Sequence, residues 1–310
     1  MAVSGKWIEG LGPETTVADA ARRSLETRLA VIAHSLPLAA HLAEHDIEHV
    51  HRLRVATRRA AAALKLYRDW LPEKTRRWFK KRLRQIRRAA GEARDLDVLI
   101  QRLQRESGIQ VEPVIRFLAE KRRAVQPDII KLADDMRRDD RFVRKAARLF
   151  RKIPSSDTDE QAVTPERFCD WAPQQLAKFR SSFVELLPEG SEDIEALHQF
   201  RIRTKALRYA IELLAPAFDP QLRKEVYPAV EQLQEQLGNI TDHIAAIRLF
   251  AEWEEHNAAQ TPREGASYLD VEKTCEVEDL QNFRNWWTSE RADSLEQSLA
   301  NQTGIGCGQN

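Results

Sequence analysis

His51, Arg54, Arg58, Lys65 and Arg68 follow one another at steps of three, four, seven and three residues. On a helix, that spacing places all five on one side. A file of cations along one helical face is suited to holding anions. Arg offers forked donors that match phosphate oxygens, Lys a mobile point charge, and His a donor that gains charge near pH ~6.5. Like charges three and four apart repel one another and work against the helix, so a row of external anions is the natural compensation. A plain solvated face is the alternative, and recurrence weakens it. The file returns as His198, Arg201, Lys205 and Arg208, at an offset of 147 residues (198 − 51), with Glu212 where Lys65 would be repeated.

A second landmark keeps that offset. The run Gly91 to Asp95, GEARD, is answered by Gly238 to Asp242, GNITD. Two landmarks with one separation point to a tandem duplication.

The element that positions the cations is amphipathic. At about 100° per residue, Val50, Leu53, Thr57, Ala60, Leu64, Tyr67 and Leu71 share one side. Their counterparts are Leu197, Phe200, Thr204, Leu207, Ile211, Leu214 and Phe218. The next helix has an apolar side of Phe79, Leu83, Ile86, Ala90 and Ala93, and opposite it Arg77, Lys80, Lys81, Arg84, Arg87 and Arg88. The second copy keeps the apolar side as Val226, Val230, Leu233, Leu237 and Ile240. Its basic side becomes Lys224, Tyr227, Pro228, Glu231, Gln234 and Glu235. An anion site is therefore expected to lean on the first half.

Nearly every periodic stretch reads as helix, and no alternating strand pattern with turn chemistry appears. A kink or break is expected at Pro37, a break near Asp139 and Asp140, and a kink at Gly91. Asp46 is placed to cap the motif helix, which Pro72 stops. In the second half a helix is expected to end at Gly238, and a last one to run from Asp279 to Ala300. The fold expected is all-α: two four-helix bundles related by a pseudo-two-fold axis. The first spans 14–152, a linker 153–163, the second bundle 164–302 and a tail 303–310.

Composition narrows the function classes. Of 310 residues, 42% are hydrophobic and 31% charged, with a net charge of +1. That balance hides a polarity, since Val50 to Arg94 holds sixteen Lys and Arg against three acids. Ala251 to Asn310 holds twelve acids against four bases, either solvated surface or a shield for the basic face. Such a separation speaks of binding surfaces. No run approaches a membrane span, and the first residues lack the apolar core of a secretory signal. Three scattered cysteines argue against a disulfide framework and for a reducing, cytoplasmic setting. No P-loop, GxGxxG, CxxC or HExxH pattern occurs, so no cofactor is expected.

The motifs HRLRVATRR from His51, HQFRIRTKALRY from His198 and GEARDLDV from Gly91 resemble the CHAD family, the conserved histidine α-helical domain. The resemblance covers about Thr15 to Leu299. It implies paired four-helix bundles with a basic groove or channel between them, binding of inorganic polyphosphate, and attachment to polyphosphate granules. Carried over by position, the implied contacts are His51, Arg54, Arg58, Arg59, His198, Arg201, Lys205 and Arg208. The charge pattern adds Lys65, Arg77, Lys80, Lys81, Arg84, Arg87 and Arg88. The sequence departs from the family pattern at Ala60 to Ala63, at Glu212 and at Thr241, which stands where the first copy has Arg94. The ExExK signature of the tunnel hydrolases fused to some members is absent.

Three other readings stay open. A basic face binds nucleic acid non-specifically, although aromatics are not interleaved from Arg54 to Arg94 in the manner of single-strand binders. A second is His51 and His198 as ligands of a metal, against the local positive charge. A third is Asp95, Asp97 and Asp242 as holders of magnesium for phosphate chemistry, or as partners that pair with arginines and orient them. The expectation is binding without catalysis.

Overall fold

A computed structural model describes residues 5–105, 111–153, 166–186, 194–257 and 267–304. Among these the chain is all-α: no strand forms, and one isolated bridge joins Thr16 and Arg167. The expected linker from 154 on and the tail from 305 lie outside the described residues, as do three helix signals that the sequence offers, a cap at Thr164 followed by Pro165, a start at Ser191 and a capping box from Thr261 to Glu264.

In chain order the first half contributes α1 (Val17–His41), α2 (Glu48–Leu66), α3 (Glu73–Arg105), α4 (Glu112–Asp139) and α5 (Arg141–Phe150). The second contributes α6 (Phe168–Val184), α7 (Ile194–Leu214), α8 (Tyr227–His256), α9 (Tyr268–Trp286) and α10 (Ser289–Thr303). The expected core stripes are buried. Val50, Leu53, Thr57 and Ala60 on α2 and Tyr67 just after it are at zero exposure, as are Phe200, Thr204, Leu207, Ile211 and Leu214 on α7. In each half the cation-bearing helix packs between two neighbours, α2 between α1 and α3, and α7 between α6 and α8. The two then meet, α2 against α7. One apolar core runs through both halves, and a smaller cluster joins the far ends of α3, α4, α8 and α9.

Local signals explain some helix ends, and burial overrides others. Thr16 and Ser267 accept bonds from the Asp19 and Asp270 amides and open α1 and α9. Asp46 takes the Glu48 amide at 2.9 Å ahead of α2. Asp140, at φ 46°, separates α4 from α5 where a break was expected. Pro37 does not end α1, because Leu36, Ala39 and Ala40 are buried around it. Neither Gly91 nor Gly238 interrupts its helix. A mid-helix glycine costs only about 1 kcal/mol, and buried Ala90, Ala93, Leu237 and Ile240 flank the two. The expected end at Gly238 is therefore corrected to one helix reaching His256. The single helix expected from Asp279 to Ala300 is also corrected: Thr288 is extended and caps a new helix by accepting from the Arg291 amide. Cys169 is disulfide-bonded, so the cysteine count no longer argues for a reducing compartment.

Glu212 sits at the α2–α7 crossing. Its side chain is 1% exposed and takes Arg59 Nε at 2.6 Å and Nη2 at 3.0 Å. Arg28, Arg208 and the Tyr227 hydroxyl surround it at 3.9, 3.7 and 2.9 Å. Burial, and then Arg59, bring Arg28 down to about 10.

Candidate functional site

The two landmarks form matching side-chain sets. Arg54 on α2 donates Nη1 to the Gly91 carbonyl at 3.0 Å and to the Asp95 carboxylate on α3. Its counterpart Arg201 on α7 lies 3.5 Å from Asp242 on α8. A Cβ added at Gly91 or Gly238 would stand 4.0 or 3.8 Å from the respective guanidinium, so each arginine lies over its glycine. The aspartates orient the arginines, and both sets open into one cavity of about 240 Å³ with His51, Arg58, Arg94 and Arg102.

Arg58 continues into a second cavity of about 440 Å³ with Lys205, Lys65, Arg87, Phe179 and Tyr209. Lys65 and Arg87 line a third with Arg68, Arg76, Lys80 and Arg84. Lys65 and Arg68 also line a fourth with Lys178 and Arg203. Shared walls make these a continuous row following α2 from His51 to Arg68. Every cation along it, apart from Lys178, Arg201, Arg203 and Lys205, comes from the first half.

Charge is compensated at one end and not in the middle. Arg54 and Arg201 have their aspartates, Arg94 meets Glu48 at 3.3 Å, and Arg102 pairs with Glu272, itself bonded to His243. Arg58 and Lys205 have no carboxylate partner among the described residues. Burial, followed by Arg201, Arg58 and Arg54, drives the Lys205 amine down to about 7. Burial also lowers Arg58 and Arg201, and lowers His51 with the help of Arg94.

The sequence matches the CHAD domain over residues 23–251. The chain belongs to the CHAD domain family. Its fold is similar to the crystal structure of the CHAD domain from the plant Ricinus communis, at 20% identity and a TM-score of 0.64, with 96% of each chain covered. PptA from Streptomyces chartreusis aligns at 17% identity and a TM-score of 0.52, covering 93% of this chain and all of that one. No curated protein is significantly similar.

Within this CHAD domain the expected contacts separate into two groups. His51, Arg54, Arg58, Lys65, Lys80, Arg84, Arg87, Arg201 and Lys205 line the row of cavities. Arg59 and Arg208 turn instead to Glu212, and Arg77 pairs with Glu73 one turn away on α3. Lys81, Arg88 and His198 are exposed and line none of these four cavities. His51 and His198 share none of them. Arg94 and Arg102 join the first cavity without having been singled out. The signal was present, since Arg94 follows Arg87 by seven residues and so lies almost on its azimuth. Phe179 and Tyr209 come from the second half, which a reading confined to Arg54 to Arg94 passes over.

Lys205 gives a test that separates a ligand site from a structural cation. Its folded pKa is below the unfolded 10.5, so its charge penalises folding. The penalty is full below about 7 and fades as pH rises from about 7 to 10.5. Lys205→Met should raise the melting temperature, more at pH 6 than at pH 9, and weaken anion binding. A melting temperature that falls at both pH values would show a supporting role instead.

Proposed function

We propose that this CHAD protein binds inorganic polyphosphate along α2, through the cavities from His51 to Arg68, without turning it over. The observation that carries the reading is the pair of half-buried cations, Arg58 and Lys205, left without carboxylates among aligned cations. Such a cluster is unfavourable by itself and is relieved by an extended polyanion. Polyphosphate, the ligand implied by the CHAD resemblance, has one charge per phosphate and no bases to be read. Binding releases counterions, by analogy with nucleic acids, so affinity falls steeply with salt. Attachment to polyphosphate granules would use the same contacts.

Turnover is not part of the proposal. Asp95 and Asp242 are engaged by Arg54 and Arg201, and Asp97 is buried against Arg122 at 2.6 Å. Among the described residues no group of three or more His, Cys, Asp and Glu could hold a metal ion, and no helix is long and apolar enough to cross a membrane.

Titration with short and long polyphosphate and with single-stranded DNA, at two salt concentrations, tests the reading. Long polyphosphate should bind tightest, weaken with salt, and bind better at pH 6 than at pH 8. The pH trend follows from Lys205, which is protonated below about 7 and is held charged by a bound anion. Equal affinity for polyphosphate and DNA would sink the specific reading.

A further inference from the structure

The cavity between α2, α6 and α7 has a floor that an inorganic chain does not need. Leu66, Phe179, Ile202, Ala206 and Tyr209 form much of its wall, around about 440 Å³. That volume falls within the ~300–1,000 Å³ of small-molecule sites, which are mostly apolar with a few placed polar groups. Ile202 keeps an apolar side chain 46% exposed there. Lys65 Nζ stands 5.6 Å from the centroid of the Phe179 ring, so the ring has a face turned toward the groove. The Tyr209 hydroxyl is hydrogen-bonded with Arg58, and Arg58 is the wall shared with the cavity that holds Arg54 and Arg201.

We propose that this cavity takes the base of a nucleoside 5′-triphosphate, whose phosphates pass Arg58 to reach Arg54 and Arg201. The phosphate half of the inference rests on the groove being a polyphosphate site; the base half rests on the apolar floor alone. A planar heteroaromatic ring fits these walls because it stacks on Phe179 and fills apolar space, while its polar edge meets Lys65 and Lys205 at the rim. An aliphatic tail would leave those cations without partners.

The test compares ATP with inorganic tripolyphosphate by calorimetry, without metal, in one buffer. Charge alone favours tripolyphosphate, which carries more negative charge, so an order of affinity reversed in favour of ATP is the expected sign of the base contact. The advantage should be about 10-fold, the scale of one base stacked on one aromatic ring. Phe179→Ala should abolish it, lowering the affinity for ATP about 10-fold more than that for tripolyphosphate. Ile202→Ser, at a half-exposed position that folding tolerates, should reduce it as well. Arg58→Ala should weaken both ligands, and long polyphosphate should displace ATP. If ATP binds no tighter than tripolyphosphate, or if Phe179→Ala and Ile202→Ser weaken both ligands equally, the base site is overturned while the polyphosphate reading stands. Failure of every phosphate ligand to bind, long polyphosphate included, would overturn both.

Discussion

Arg54→Ala combined with Arg58→Ala lowers affinity for long polyphosphate by about 100-fold or more, whereas Arg201→Ala with Lys205→Ala costs about 10-fold. The magnitudes follow from charge-assisted hydrogen bonds, each contributing roughly 1.5–3 kcal/mol, on a chain that other cations still hold. The asymmetry follows from position. Arg58 lines both main cavities and has no carboxylate among the described residues. Lys205 is pushed down to about 7 and is only partly charged at neutral pH. Apart from Lys178 and Arg203, the cations further along the groove belong to the first half, so the first-half pair also joins the first cavity to them. Fluorescence titration at several salt concentrations reads both quantities, and each lost phosphate contact should lower the salt slope by about one. Melting temperatures should fall little in the first variant, because removing mutually repelling arginines offsets the lost bonds to Gly91 and Asp95. Equal losses in the two variants would refute a site that leans on the first half.

What the sequence disclosed, and what it hid, divides by the range of the interactions. The buried stripes of α2 and α7 were legible because a helix facing a core repeats its apolar residues every three or four positions, and nothing distant is needed to see it. The Arg54–Asp95 and Arg201–Asp242 pairs were foreshadowed by one shared offset. Arg59 and Arg208 show the opposite case. Arg208 is a member of the second cation file, and Arg59 is a contact that the family resemblance implies. Only the α2–α7 crossing brings them to Glu212, and a pattern read one element at a time cannot show a crossing. Glu212 itself looked like a defect in the second file, since it replaces the cation expected from Lys65. Gly238 and Thr288 erred in opposite directions: a helix breaker was overruled by buried neighbours, and an N-cap went unnoticed inside an apparently continuous helix. Phe179 and Tyr209 entered the groove from the half whose basic charge was mostly lost.

Glu212→Ala is the substitution expected to cost most in stability. The carboxylate is enclosed, and the Arg28 side chain beside it is 2% exposed. Arg59 and Arg208, at 17% and 14%, also depend on it. Alanine would leave three guanidinium groups in one partly desolvated space, together with a Tyr227 hydroxyl that has lost one of its two carboxylate partners. Breaking a buried pair from one side typically costs about 3–5 kcal/mol, because the remaining charge stays buried. At about 2–4 °C per kcal/mol for a chain of this size or somewhat smaller, thermal unfolding should move down by ~10 °C. Glu212→Lys, which installs the residue found at the matching position in α2, should be worse, placing a fourth cation among three. Glu212→Leu with Arg28→Met should recover much of the loss, since apolar replacement of a buried ion pair is often neutral or favourable. Below its melting point the alanine variant should still bind polyphosphate, because Arg59 and Arg208 do not line the groove. A variant that melts normally but binds polyphosphate poorly would place Glu212 and its arginines in the ligand site rather than in the joint between α2 and α7.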